Sequence, residues 1–211
     1  MELHWLKKEG APSLVVFVLG WAASHRWVEH IRPRGFDVLC VCDLRDMAPL
    51  ALPEYRHKVL LAWSFGIWAA EHLFEKDTFA RAIALCGSPL PTSDKHGLGL
   101  RRAKLTLRSL PEGLPAFYRA CLGPSFERFA PGLPSRSPEA LYQELDFLLE
   151  RSSQSYAPKL PWNAAVLGER DTLFPLAKLL DYWGEKALVM PFAHYPFADE
   201  ATVRGWIGKD G

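Results

Sequence analysis

Short runs of apolar, β-branched residues alternate along most of the chain with longer stretches of helical spacing. That is the pattern of an α/β protein built on a mainly parallel sheet. The run Ser13 to Gly20 (SLVVFVLG) is apolar on both alternating faces, as a central strand covered on both sides requires. It predicts a strand, followed by a helix over 24–32, a second strand over Asp37 to Leu44, and a connection punctuated by Pro49 and Pro53. A third strand is predicted at His57 to Trp63 and passes directly into a helix from Phe65 to about Phe74. Further strands are predicted at Arg81 to Gly87, Ala164 to Asp171 and Ala187 to Met190, and LHWLKK near the start adds an antiparallel edge.

Between Pro89 and Pro161 this rhythm stops, and the chain reads as a helical insertion spanning about 90–160 within one domain covering 1–211. Its clearest helix is Ser137 to Ser152: Ser137 suits the cap, Pro138 the first turn, and Leu141, Leu145, Leu148 and Leu149 share a face. The stretch GPSFERFAPGLPSRSP reads as a loop between insertion helices.

Composition narrows the partners. Of 211 residues, 49% are hydrophobic and 23% charged, which suits a folded core and excludes a mainly disordered chain. The net charge of +1 gives no whole-molecule attraction to nucleic acid. No apolar run approaches the roughly 18–20 residues that span a bilayer, and the N-terminus lacks the pattern of a secretory signal. No membrane contact and a cytoplasmic location are therefore expected. Cys40, Cys42, Cys86 and Cys121 show no metal-ligand spacing and are read as reduced packing residues. Gly97-Leu98-Gly99 has neither the third glycine nor the preceding strand of a dinucleotide loop.

The chemistry concentrates at VLLAWSFGIWAAEHLF, where strand meets helix at Ser64. This is the pattern of a nucleophile elbow, which needs small residues two before and two after the serine so that strand and helix can approach. Ala62 and Gly66 stand there, Ala62 replacing the more usual glycine. The simpler alternative is a serine that caps the helix. A serine nucleophile needs a histidine base and usually a carboxylate that orients it, supplied after later strands in the order acid, then histidine. Asp171 and His194 each lie just past a predicted strand in that order. Glu169 and, less well placed, Asp146 are substitutes for the acid, and His25 is the other histidine near the expected mouth of the site. An oxyanion needs two fixed N–H donors; Phe65 follows the nucleophile, and the Gly20 turn points to Trp21 as the second.

Gly20-Trp21 after the first central strand, Trp63-Ser64-Phe65-Gly66 followed by Ile-Trp-Ala-Ala, and His194-Tyr-Pro-Phe near the C-terminus together resemble the small α/β-hydrolases of the pimeloyl-acyl-carrier-protein methyl ester esterase group, BioG type. The chain departs from that pattern at Ser24, where relatives often carry Asp or Asn. The resemblance implies an α/β-hydrolase fold with a helical lid. The implied activity is a serine carboxylesterase that demethylates pimeloyl-acyl carrier protein (pimeloyl-ACP) methyl ester in biotin precursor synthesis. Carried over by position, Ser64 is the nucleophile, His194 the base, Asp171 the orienting acid, and Trp21 and Phe65 the oxyanion donors. No metal or organic cofactor is implied.

Charge within the insertion fits an acidic carrier protein. Between Asp94 and Arg136 there are eight Lys and Arg against three Asp and Glu, and Arg101, Arg102, Lys104 and Arg108 are the first candidates for carrier binding. A solvated face paired with acids elsewhere is the alternative. Leu98, Leu105, Leu114, Phe117, Phe126 and Phe129 either line an acyl channel or pack the lid. The same triad also suits a thioesterase or a general short-chain esterase, and a non-catalytic binding module on the same fold is the reading from another class.

Overall fold

The computed structural model describes residues 1–208. Seven strands form one sheet: β1 (Glu2–Lys7), β2 (Ser13–Val18), β3 (Phe36–Cys42), β4 (His57–Trp63), β5 (Arg81–Leu85), β6 (Ala164–Gly168) and β7 (Ala187–Met190). Their spatial order is β1-β3-β2-β4-β5-β6-β7, with β1 antiparallel to β3 and every other pair parallel. Every residue of β2 and β3 is buried, which matches their mainly apolar sequence, broken only by Ser13 and Asp37 near their starts. From β2 the chain moves outward to β3, returns to β4 on the other side and continues to β5. The reversal at β2 and β4 opens a crevice beyond their C-terminal ends, the place where open α/β sheets bind ligands.

Helix α1 (Phe65–Leu73) leaves β4 without a connecting loop. Between β5 and β6 the chain inserts α2 (Leu100–Arg108), α3 (Leu114–Leu122), α4 (Phe126–Phe129) and α5 (Pro138–Ser152). The Ser137 side chain accepts from the Ala140 N–H, so α5 starts at its expected cap. Helix α6 (Leu176–Trp183) precedes β7 and α7 (Glu200–Ile207) follows it. No helix among the described residues is long and apolar enough to cross a membrane.

Three expectations are corrected. Residues 24–32 do not form a helix; a single 3-10 turn covers His25–Trp27. The Tyr195 hydroxyl donates to the Trp27 carbonyl, which a continuing helix would have used, and Ile31 bonds three residues back to Val28 instead of four. The proline-rich stretch 123–138 is not plain loop: 3-10 turns at Gly123–Ser125 and Ala130–Gly132 flank α4. Pro124 and Pro131 stand in the first turns, where a missing N–H costs nothing. The strands predicted to reach Leu44, Gly87 and Asp171 end earlier, at Cys42, Leu85 and Gly168. At the first two, the chain bends through left-handed backbone at Asp43 (φ 53°) and Cys86 (φ 50°).

Away from the crevice, buried Asp37 at the start of β3 ties down the turn between β1 and β2. Its carboxylate accepts from the N–H groups of Glu9, Gly10 and Ala11 and from the Tyr55 hydroxyl. Burial opposes ionisation, but these four donors outweigh it and hold the Asp37 carboxyl below the usual carboxylate range. The stabilisation is therefore complete above the ordinary carboxylate range and is lost as pH falls through the lowered value. Asp37→Asn is expected to cost about 1–3 kcal/mol at neutral pH. Urea melts as a function of pH should show the gap from wild type closing below about pH 4; a constant gap down to acid pH would remove this account.

Candidate active site

Ser64 sits at the turn from β4 to α1 with φ 58° and ψ −128°, a conformation far from that of a helix cap. Its side chain makes no capping hydrogen bond to the helix, which disposes of the simpler reading of this serine. The Ser64 N–H donates to the Leu85 carbonyl at 2.9 Å, fixing the strained turn to β5. Strain of this kind persists only where the surroundings over-determine it. Here they do: a Cβ on Gly66 would lie 2.1 Å from the Val18 carbonyl oxygen, and one on Gly20 would lie 2.8 Å from the Ser64 Cβ. Ala62 is fully buried between Val18 and Ala84 in the sheet, so its methyl group is accommodated and the departure from glycine leaves the turn intact.

The predicted acid and base meet. His194 Nδ1 lies 2.7 Å from Asp171 Oδ2, and both side chains are almost fully buried, at 2% exposure each. The other Asp171 oxygen, Oδ1, accepts from the Leu173 and Phe174 N–H groups at 2.8 and 3.0 Å, so the carboxylate cannot rotate freely. Their two loops are joined by backbone bonds from Glu169 N–H to Met190 O and from Arg170 N–H to Phe192 O, at 2.8 and 3.0 Å. The imidazole lies between the rings of Trp63 (centroids 5.1 Å apart) and Phe174 (5.6 Å, nearly parallel at 4°). The Trp63 indole N–H also donates to the His194 carbonyl at 2.9 Å. With the carboxylate accepting at Nδ1, the proton resides there and Nε2 is left as a base. Glu169 and Asp146 are exposed and make no such bond.

Ser64 and His194 line one narrow, mainly apolar cavity of about 40 Å³ together with Trp21, Phe65, Leu98 and Phe117. Trp21 and Phe65, the predicted oxyanion donors, are thus brought to the same space from β2 and α1. Phe65 is the first residue of α1, so its N–H has no partner within the helix. Of the six apolar insertion residues considered for an acyl channel, Leu98 and Phe117 reach this cavity. Leu105 is 55% exposed, and Phe129 packs on His30 and Tyr195 instead.

Sequence reasoning missed the part of Trp63, Phe174, Leu145 and Cys121 in this site. A tryptophan immediately before the elbow serine was the available signal for Trp63; the others are brought in only by the fold. His25 belongs elsewhere: its ring stacks on His4 at 3.8 Å, and it does not line the cavity.

The cationic run is also smaller than its sequence. Arg136 is largely withdrawn from solvent in ion pairs with Glu144 and Asp43, at 2.8 and 3.3 Å, and Lys95 lies 3.7 Å from Asp181. Arg101, Arg102, Lys104 and Arg108 of α2 are exposed and, among the described residues, have no carboxylate within ion-pair distance. Ala103 and Thr106 of the same helix face the cavity.

Cys86, Asp171 and His194 offer ligand atoms within 4.8 Å of one another. Burial, then the Asp171 carboxylate, push the Cys86 thiol well up, while the Asp171 and His194 atoms are already bonded to each other. A bare carboxylate–histidine pair opposite a strained serine can instead run acyl transfer.

Known proteins resemble the chain over most of its length. It superimposes on the crystal structure of BioG from Haemophilus influenzae with a TM-score of 0.85 and 29% identity, covering 94% of this chain and 95% of that one. An uncharacterised protein of Haemophilus influenzae is 32% identical over 193 residues, 88% of this chain and 89% of that protein. A malonyl-[acyl-carrier protein] O-methyltransferase of Bacteroides fragilis is 29% identical over 177 residues, 81% of this chain but only 35% of that protein. The family model for the pimeloyl-ACP methyl esterase BioG matches residues 1–201. Because that match runs from the antiparallel edge strand to the start of the last helix and is not confined to the elbow, the chain belongs to the BioG family of pimeloyl-ACP methyl esterases.

Proposed function

We propose that this chain is a serine carboxylesterase that hydrolyses the methyl ester of pimeloyl-ACP, with Ser64 as nucleophile, His194 as base and Asp171 as the acid that orients it. The observation carrying this reading is the 2.7 Å contact between His194 Nδ1 and Asp171 Oδ2, facing the same cavity as the strained Ser64. Ser64 Oγ attacks the ester carbonyl carbon while its proton passes to His194 Nε2. The N–H groups of Trp21 and Phe65 hold the oxyanion. When the intermediate collapses, the C–O bond to the methoxy group breaks and His194 returns the proton, releasing methanol. Water, deprotonated by the same imidazole, then attacks the acyl-enzyme and frees the carboxylic acid and Ser64.

The insertion acts in this reading as a lid that also receives the carrier. Helix α2 presents Arg101, Arg102, Lys104 and Arg108 to solvent and Ala103 and Thr106 to the cavity. An acidic carrier drawn to the outer face would deliver its acyl chain to the inner one.

The test is incubation with pimeloyl-ACP methyl ester while methanol and free carrier thiol are followed in the same tube. Methanol without thiol is expected; thiol release would instead make the chain a thioesterase. In that assay the double variant Arg101→Glu/Lys104→Glu, which spares the bond from Arg102 Nη2 to the Thr172 carbonyl beside Asp171, should raise KM for the carrier-bound ester on the order of 10-fold and leave turnover of a small aryl ester nearly unchanged. Equal effects on both substrates would remove carrier docking from α2.

A further inference from the structure

Glu144 is fully buried, yet it belongs to α5 of the insertion and the reaction above makes no use of it. Its Oε1 accepts from the Leu44 N–H at 2.8 Å; its Oε2 accepts from the Ala22 N–H at 3.2 Å and from Arg136 Nη1 at 2.8 Å. Arg136 continues the contact, with Nη2 donating to the Ala23 carbonyl at 3.2 Å and Nη1 lying 3.3 Å from Asp43 Oδ1. Asp43 in turn accepts from Arg45. Three residues before Glu144, the Leu141 carbonyl accepts from the Trp21 indole N–H at 2.8 Å.

Two of the left-handed non-glycine residues, Ala22 (φ 55°) and Asp43 (φ 53°), therefore sit under one carboxylate and its arginine. Non-glycine residues hold such angles only when their surroundings impose them. Ala22 directly follows Trp21, whose backbone N–H is the second oxyanion donor of the proposed reaction. Helix α5 thus grips this short loop at the residue that carries the donor and at the next peptide, by the indole of Trp21 and by the N–H of Ala22.

We propose that Glu144, together with the Leu141 carbonyl, positions the oxyanion loop, so that seating of α5 on the sheet sets the aim of the Trp21 N–H. This rests on the esterase reading above. The insertion is then part of the catalytic apparatus as well as a cover over it, and a carrier protein that shifts α5 would alter kcat. A donor moved off the oxyanion loses most where charge develops, in the transition state, and little in the bound substrate. A merely structural carboxylate would lower stability without that signature.

Glu144→Gln separates the two. Its amide nitrogen must face either Leu44 N–H or the Ala22 and Arg136 donors, so one side of the grip is lost at nearly constant volume. The measurement is steady-state turnover of a short aryl ester, normalised to Ser64 sites titrated by exhaustive fluorophosphonate labelling, alongside thermal melts. Expected is a fall in kcat per titrated site of about 10- to 100-fold with KM changed less than about threefold. Trp21→Phe, which removes the tether to Leu141 and also trims the cavity wall, should lower kcat with KM held within about threefold and decides the question if Glu144→Gln does not fold; a change in KM alone would overturn the tether. Glu71→Gln is the control. That equally buried carboxylate accepts from Lys159 N–H, Leu160 N–H and the Trp162 indole at the opposite end of the sheet. It should lower the melting temperature and leave kcat per site alone.

Unchanged kcat per site in the folded variants, or a loss explained entirely by fewer titrated sites, would overturn the inference. Wild-type turnover that survives Ser64→Ala would instead overturn the esterase reading on which it rests.

Discussion

Ser64→Ala is expected to lower hydrolysis of pimeloyl-ACP methyl ester by about 10³- to 10⁶-fold while leaving the fold and carrier binding intact. The substitution removes one oxygen and nothing that holds the turn. The Cβ facing Gly20 remains, the Ser64 N–H still donates to Leu85, and the hydroxyl it deletes caps no helix. Stability should change by less than about 0.5 kcal/mol, so a loss of rate cannot be assigned to unfolding. What survives is whatever the oxyanion donors and substrate positioning achieve with water alone. The measurement is methanol release at saturating substrate, paired with a thermal melt. Undiminished release by the variant would end the assignment of Ser64, and with it the role given to the elbow.

Asp171→Asn should cost about 10⁴-fold in kcat, again with the structure preserved. The new side chain can keep its oxygen on the N–H groups of Leu173 and Phe174, which the Oδ1 of Asp171 holds at 2.8 and 3.0 Å. Its NH2 group is then left facing His194 Nδ1 across the 2.7 Å contact. Two donors cannot share that bond, so the imidazole places its proton on Nε2 and presents no lone pair to Ser64. Trp63 and Phe174 still hold the ring in place, which makes this a change of tautomer with little displacement. Single-turnover acylation with an aryl ester would isolate the affected step. A loss below about tenfold would show that the orienting carboxylate lies elsewhere.

The strands, the elbow and the order of Ser64, Asp171 and His194 were legible because each is written in short-range terms. The apolar run Leu14 to Leu19 has the length and composition of a strand covered on both faces, and Ala62, Ser64 and Gly66 form a pattern within five residues of chain, although the group that forbids a Cβ on Gly66 is the distant Val18 carbonyl. Helix α5 was legible for the same reason, from its cap to its apolar face. The expected helix over 24–32 gives way to a single 3-10 turn, after which Ile31 N–H bonds to Val28 and the Trp27 carbonyl meets the hydroxyl of Tyr195, a partner far along the chain that no local propensity registers. Early strand ends at Cys42 and Leu85 have a similar origin, since the left-handed turns at Asp43 and Cys86 serve loops that meet only in three dimensions.

Charge shows the division most sharply. Eight cations counted along the insertion look alike in sequence, yet Arg136 is paired with Glu144 and Asp43 and largely withdrawn from solvent while Arg101, Arg102, Lys104 and Arg108 are exposed. A charge's meaning depends on which carboxylates the folded chain brings beside it, and for Arg136 one of them comes from another element. The parts of the proposed chemistry were therefore carried by local pattern: the candidate nucleophile, acid and base, and the order in which they occur. Their assembly was decided by tertiary packing. Only the sheet's reversal at β2 and β4 brings the proposed oxyanion loop beside the elbow, and only the docking of α5 places a buried carboxylate under that loop. Hydrogen bonds between groups more than a hundred residues apart leave no periodic trace in the sequence that makes them.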